Sequence, residues 1–484
     1  MTNIEHVDVL IVGAGISGIG AAHHLQKRCP DRSYLILEGR ENLGGTWDLF
    51  RYPGIRSDSD MHTLGFSFKP WVSKRAIAEG DAILDYLGET ATENGIDRNI
   101  RFSHRVLRAN WSSELSLWQV DVENTGSGEV LEFSCQFLYM CSGYYDYHAG
   151  YSPDFEGQEQ FAGEIVHPQF WPETTTWKDK QVVVIGSGAT AVTVVPAMAE
   201  DAAHVTMLQR SPTYFVSQPW QDGIANFLRA WLPRRFAYFL TRWKNVLLQL
   251  WFFRLCRKHP DRAATALIDR VREELGPDYD VDTHFTPSYN PWEQRLCLVP
   301  DGDLFAAIRQ GLVSVETDHI RSFNKTGIVL ESGKELAADL VVTATGLEMC
   351  FLSDVEVRVD NKLFNASEGM TYRGMMIGDI PNLAFSMGYT NASWTLKADL
   401  TSAYVCRLLN HMSKHGYTQC CPHNSDPEIE VTPYLDFKSG YVQRAAHRMP
   451  QQGNRAPWRL YQNYLLDILT LRLRSLKDDV MRFS

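Results

Sequence analysis

Val7-Asp-Val-Leu-Ile-Val12 runs straight into Gly13-Ala-Gly15-Ile-Ser-Gly18 and then into a helix-patterned stretch through Leu25. Residues 7–12 are apolar and β-branched apart from Asp8, which reads as a strand. The three glycines have separate tasks: a tight turn, backbone approach to a pyrophosphate, and close packing of helix on strand. The helix N-terminus that follows Ser17 offers free N–H groups and the positive end of its dipole to phosphates. A second strand, Tyr34–Leu37, ends in Glu38, whose carboxylate can accept from ribose hydroxyls. A lone glycine cluster is weak evidence; strand, turn, helix, strand and acid in that order predict a dinucleotide site.

The same logic appears again downstream. Gln181–Ile185 leads into Gly186-Ser187-Gly188-Ala189-Thr190-Ala191, with alanine in place of the third glycine. The next strand, His204–Leu208, ends in Gln209-Arg210-Ser211 rather than in an acid. A carboxylate there would repel a 2′-phosphate, whereas Arg210 can bind one bidentately and Ser211 can donate to it. The second site is therefore read as preferring NADPH over NADH. The expected fold is α/β, with two Rossmann-like dinucleotide-binding domains. Residues 1–148 form the first, 149–180 a linker, 181–340 the second with a helical insertion at about 221–275, and 341–484 a return to the first domain and a C-terminal part.

Composition sets the remaining bounds. The 484 residues carry 47 basic and 58 acidic side chains, a net charge of −11, which argues against a nucleic-acid partner. Glu5 and Asp8 interrupt any apolar leader, so no signal peptide is expected. Nine cysteines without a Cys-x-x-Cys pair read as reduced thiols of a cytoplasmic protein and weaken a disulfide-reductase reading. No metal is expected.

Two further runs carry a resemblance. Gly44-Gly45-Thr46-Trp47 with Tyr52-Pro53-Gly54-Ile55-Arg56-Ser57-Asp58 fits Gly-Gly-x-Trp-x-x-x-x-Tyr-Pro-Gly-x-x-x-Asp without a gap. Phe161, Gly163, His167, Trp171 and Pro172 fit Phe-x-Gly-x-x-x-His-x-x-x-Trp-Pro. In both, the chain resembles the type I Baeyer–Villiger monooxygenases, flavoenzymes that insert oxygen beside a ketone carbonyl. The resemblance implies FAD at the first site, with the backbone of Val106 near its adenine, and puts Gly45, Thr46, Trp47, Arg56 and Asp58 among the cofactor-binding residues. It implies NADPH at the second site. It places the active-site guanidinium at Arg295, after Tyr289-Asn-Pro-Trp292, with Asp58 orienting it. His167 is grouped with the catalytic residues, as a coupler of linker position to domain closure. Gln294 stands where the family often has a lysine. Ala344-Thr345-Gly346 is implied to return the chain to the FAD domain, and the helix from Trp394 to about Leu409 to face the flavin.

The implied reaction proceeds through a C4a-peroxyflavin formed from O2, with a ketone as substrate and an ester or lactone as product; sulfides or thioamides are further candidates. A flavin S- or N-monooxygenase and a non-catalytic redox sensor remain alternatives. Within the insertion, Pro233 and Pro260 bracket Arg235–Lys258, where Thr241, Arg242, Asn245 and Gln249 form a narrow polar stripe in an otherwise aromatic helix. Three charges between Phe236 and Cys256 argue against a membrane span. A lid with a buried apolar face is favoured, and a helix lying on a membrane surface is the alternative. The second option would make the protein peripheral to a membrane.

Overall fold

The computed structural model describes residues 4–435 and 437–484. Strand β1 (Glu5–Val12) feeds helix α1 (Ile16–Arg28), and β2 (Tyr34–Leu37) lies parallel to β1 with Leu37 opposite Val12. The two strands end level, which sets Gly13 and Glu38 side by side. β3 (Ile100–Arg101) continues the sheet beyond β2. β4 (His104–Ser112) and β5 (Leu117–Asn124) form an antiparallel pair that joins β6 (Val130–Met140), and β6 flanks β1 in parallel. Val9, Leu10 and Ile11 are fully buried. Cover on both faces of a parallel sheet is why this strand is a continuous apolar run instead of an alternating one.

The second sheet is wholly parallel. Its strands are β7 (Glu164–Val166), β8 (Gln181–Ile185), β9 (His204–Gln209), β10 (Val313–Thr317) and β11 (Leu340–Thr343), in the order β10-β9-β8-β11-β7. Helix α2 (Ala189–Ala199) follows β8. Between β9 and β10 lie three insertion helices: α3 (Gly223–Trp231), α4 (Arg234–Lys258) and α5 (Pro260–Leu275). Helix α6 (Trp394–His415) packs on α1 in the first unit and stops at Gly416, which takes a left-handed φ of 70°.

Three features differ from the sequence-based expectation. The stretch read as linker contributes β7 to the edge of the second sheet, where Ile165 lies opposite Val341. Helix α6 runs past Leu409 to His415. Most consequentially, α4 buries its polar stripe together with Ala237, Tyr238, Val246 and Leu250, and leaves Phe236, Phe239, Leu247, Leu248 and Trp251 exposed.

The reason is a demand for donors. A short helix, Met61–Leu64, ends against α4 and leaves carbonyls that its own turns cannot satisfy. Arg242 Nη1 donates to the carbonyls of His62 (2.9 Å), Thr63 (3.1 Å) and Gly65 (2.8 Å). Asn245 Nδ2 and Gln249 Nε2 donate to the two Asp60 carboxylate oxygens at 2.9 and 3.0 Å. Behind them Asp399 takes Arg242 Nη2 at 3.9 Å and His24 Nε2 at 3.3 Å. Burial opposes the Asp399 charge, but His24 and Arg242 hold its pKa down at about 2.

Candidate active site

A cavity of about 1320 Å³ opens at the C-terminal ends of β1 and β2 and extends to the insertion helices. Crevices at strand ends are where open α/β sheets take ligands. Gly13, Gly15, Ser17, Glu38, Gly45, Thr46, Trp47, Asp58 and Val106 all line it, while Gly18 lies just behind. Gly13 has a φ of 102°, and a Cβ there would stand 2.8 Å from the Cys141 carbonyl oxygen. A Cβ on Gly18 would stand 1.9 Å from the Gly13 carbonyl oxygen, so only glycine lets α1 start this close to β1.

Glu38 accepts from the Ala14 N–H at 2.7 Å and from the Arg40 N–H at 3.0 Å. Burial raises its pKa, and those two N–H groups work against the rise. Val106 sits where the β4–β5 ladder breaks into a bulge, which leaves backbone there free for other partners. Trp394 Nε1 donates to Ser17 Oγ at 2.7 Å, and residues 389–394 at the start of α6 line the cavity. The positive end of a 22-residue helix thus faces the same space. A cradle without side chains, a buried carboxylate and a helix N-terminus suit a dinucleotide with an electron-accepting ring.

Arg295 and Asp58 meet on the wall of this cavity. Arg295 Nη1 donates to Asp58 Oδ2 at 3.0 Å, Nη2 reaches the Tyr144 hydroxyl at 3.4 Å, and Nε has no partner. Tyr441, Tyr144 and Asp58 raise the guanidinium pKa against burial, so the charge is permanent. The loop that carries Arg295 turns at Trp292, whose φ is 67°, just before the strand Cys297–Pro300.

The second glycine turn stands apart, and none of Gly186, Ser187, Gly188, Ala189, Thr190 and Ala191 lines the cavity. Its first glycine repeats the solution of the first turn: φ is 131°, and a Cβ on Gly186 would fall 2.3 Å from the Ala344 carbonyl oxygen. Gly188, Ala189, Arg210 and Ser211 are exposed on a shelf, and Ser187 Oγ donates to the Ser211 carbonyl at 3.3 Å. Arg210 makes no ion pair among the described residues, so its guanidinium is free for an anion.

Two expected site residues lie elsewhere. Arg56, grouped with the cofactor contacts, pairs with Asp303, donates to the Val192 carbonyl at 3.3 Å and stacks over Trp220. Gly54 nearby, with a φ of 75°, would place a Cβ 2.6 Å from Ala197 of α2. The Tyr-Pro-Gly run and Arg56 therefore clamp the first domain onto the second.

His167 is also outside the cavity. Its Nδ1 accepts from the Gln169 N–H at 3.2 Å and its Nε2 donates to the Gly346 carbonyl at 3.3 Å. Burial lowers its pKa, so it is neutral near pH 7. Its ring covers Gly150, where a Cβ would come within 2.1 Å. Tyr145–Gly150 and Leu347–Met349 are the two segments by which the chain crosses between domains, and they pair with each other. His167 thus contacts both crossing segments.

Several residues gain a role that sequence reading missed. Tyr144 and Tyr441 surround Arg295, and Asp60 anchors α4. Arg444 lies over the Tyr151 ring at 3.3 Å and braces the crossing segments. The i, i+4 spacing of Asn245 and Gln249 was the one available signal for the Asp60 contact.

Two nucleotide-type turns, a cavity joining one of them to a fixed guanidinium, and a paired crossing between domains define a two-dinucleotide-domain oxidoreductase. A family model described as flavin-binding monooxygenase-like matches residues 75–368, and one for an NAD(P)-binding Rossmann-like domain matches residues 11–75. The chain belongs to the flavin-binding monooxygenase family. It is 54% identical over 481 residues to the FAD-containing monooxygenase EthA of Mycobacterium tuberculosis (strain ATCC 25618 / H37Rv), covering 99% of this chain and 98% of that one. It is 49% identical to the probable FAD-binding monooxygenase AlmA of Acinetobacter baylyi, covering 99% and 96%. In fold it is similar to an oxidized steroid monooxygenase bound to NADP, with a TM-score of 0.72, 24% identity and coverage of 87% and 88%. A cyclohexanone monooxygenase bound to epsilon-caprolactone gives a TM-score of 0.72 at 20% identity, with coverage of 99% and 100%.

Proposed function

We propose that this chain is a Baeyer–Villiger monooxygenase that uses FAD and NADPH. A ketone, O2, NADPH and a proton yield an ester or lactone, NADP+ and water. Sulfides or thioamides are further substrates of the same site. FAD fits the Gly13–Gly18 cradle with Glu38 at its ribose, and NADPH fits the Gly186–Ala191 turn with Arg210 and Ser211 at the 2′-phosphate. When bound, the reduced flavin supplies the activation of oxygen. The observation that carries the reading is the Arg295–Asp58 pair on the wall of the cavity that holds the flavin cradle.

During oxygen transfer, negative charge develops on the former carbonyl oxygen. A guanidinium fixed by Asp58 and Tyr144, with Nε unpartnered, can stabilise that charge without changing its own protonation. The lining also includes Leu64, Ile77, Val216, Leu248 and Phe252, apolar side chains that accommodate the hydrocarbon part of a ketone. A panel of aliphatic, cyclic and aromatic ketones beside a thioether, supplied with isotopically heavy O2, tests the proposal. Esters carrying one heavy oxygen are expected. Oxidised thioether with no ester from any ketone would assign S-oxygenation instead, and no oxygenated product at all would leave a redox sensor.

A further inference from the structure

The outward side of the insertion is unusual for a surface. Helix α3 exposes Ile224, Phe227 and Trp231, the last at 76%. Helix α4 exposes Phe236, Phe239, Leu247, Leu248 and Trp251. These eight are among twenty large apolar side chains exposed across the described residues, although Gly223–His259 is under a tenth of the chain. Leu466, Leu469 and Leu473 extend the patch from the C-terminal region, with Asp467 between them turned inward onto Lys397 Nζ at 2.7 Å. Trp243 of α4 packs against Tyr464 with ring centroids 6.0 Å apart, so the two parts adjoin. Patches this concentrated on a chain that buries its polar stripe mark an interaction site.

Charge selects the partner. Gly223–His259 holds eight Lys or Arg and no Asp or Glu, in a chain whose net charge is −11. Arg234 and Arg235 at one end of α4, and Arg254, Arg257 and Lys258 at the other, are exposed and form no ion pair among the described residues. Aromatic and leucine side chains framed by cations match an anionic lipid surface. A second copy would set this basic frame against itself across a two-fold axis. No helix of the described residues is long and apolar enough to cross a membrane.

The patch also reaches the active-site cavity. Ile224, Leu248 and Trp251 are more than half exposed and at the same time line the cavity, as does Phe252. We propose that the α3–α4 face and Leu466–Leu473 dock on an anionic lipid surface, and that lipophilic carbonyl substrates pass from the lipid into the cavity between Ile224, Leu248 and Trp251. The substrate half of this inference rests on the oxygenase reading; the docking half does not.

The test uses the FAD-loaded full chain and two vesicle preparations, mixed phosphatidylcholine–phosphatidylglycerol and phosphatidylcholine alone. The protein should co-sediment with the mixed vesicles, at least about tenfold less with the neutral ones, and less again as salt rises. Phe227→Ser with Trp231→Ser, neither of which lines the cavity, should lower binding by roughly tenfold or more. Arg234→Glu with Arg235→Glu, which removes no apolar packing, should do the same and guards against misfolding of the first pair. In the Ser variant, kcat/KM should fall about tenfold for a long-chain ketone held in the vesicles and stay unchanged for a short water-soluble ketone. Wild-type protein that ignores the mixed vesicles, or variants that bind as well as wild type, would overturn the docking. Substitutions that convert a dimer to a monomer without any vesicle binding would assign the face to a second copy and overturn it too. Vesicle binding with no turnover of any ketone would sink the oxygenase reading and leave the docking standing.

Discussion

Replacing Arg295 with alanine should separate oxygenation from nucleotide oxidation. The resting ion pair itself is a small term. Arg295 is 33% exposed and Asp58 55%, so solvent screens their 3.0 Å contact and the pair contributes about 1 kcal/mol or less to stability. The larger effect lies in the transition state, where loss of a preorganised donor costs about 2.7–4 kcal/mol. Partial exposure puts Arg295 at the low end, about a 100-fold loss in ester formation. Arg295→Lys keeps the charge but cannot hold Asp58 and face the carbonyl oxygen with one planar fork, so its activity should lie between alanine and wild type. Asp58→Asn removes the orienting carboxylate and leaves the guanidinium, which should cost less than the alanine change. Rapid mixing without oxygen follows flavin reduction by NADPH, and gas chromatography follows the ester. Reduction should stay within a few-fold of wild type while ester formation collapses. Near wild-type ester from Arg295→Ala would refute the argument. A parallel loss of both steps would mean that Arg295 holds the nucleotide instead.

Other perturbations address the second site and the scaffold. Arg210→Ala should raise the KM for NADPH about tenfold, from a charge-assisted contact at the low end of roughly 1.5–3 kcal/mol, and leave that for NADH nearly unchanged; equal effects would show that Arg210 does not read the 2′-phosphate. Arg242→Met removes the donor from three carbonyls and a cation from Asp399, so it should destabilise by about 3–5 kcal/mol, read as a lower melting temperature. Acidification should also destabilise. Burial and the neighbouring His24 lower the His23 pKa to about 4, and burial lowers His62 and His167 as well. The unfolded chain, with histidines near 6.5, then binds more protons than the folded one, so stability rises with pH across this window and is lost as pH falls from about 6.5 towards 4. Melting curves at successive pH values check the slope, and His23→Gln should flatten it.

The nucleotide-binding units were legible because their signals are local. β1 is buried on both faces, so its apolar run and the adjoining turn lie within a dozen residues of each other. The three-residue β7 carries no such signal; its pairing with Leu340–Val342 makes it a strand. The facing of α4 was illegible for the same reason in stronger form. Its amphipathic pattern specifies that two faces differ, and the apolar one is ordinarily the buried one. The partners that draw the polar stripe inward as well, the His62–Gly65 carbonyls, are about 180 positions away. Likewise Arg295 and Asp58 are 237 positions apart, and only resemblance to a family brought them together before the fold did. Arg56, a cation inside the same signature, pairs with Asp303, 247 positions away, a contact that no local pattern announces.

The paired crossing at Tyr145–Gly150 and Leu347–Met349 has a mechanical consequence. One tether would let the NADPH-side body tumble about a point. Two tethers paired as a ribbon, with His167 resting on Gly150 and Arg444 stacked on Tyr151, resist splaying. The ribbon therefore acts together with the Arg56–Asp303 clamp and the α4 contacts of Arg242 and Asn245 in fixing how the two bodies meet.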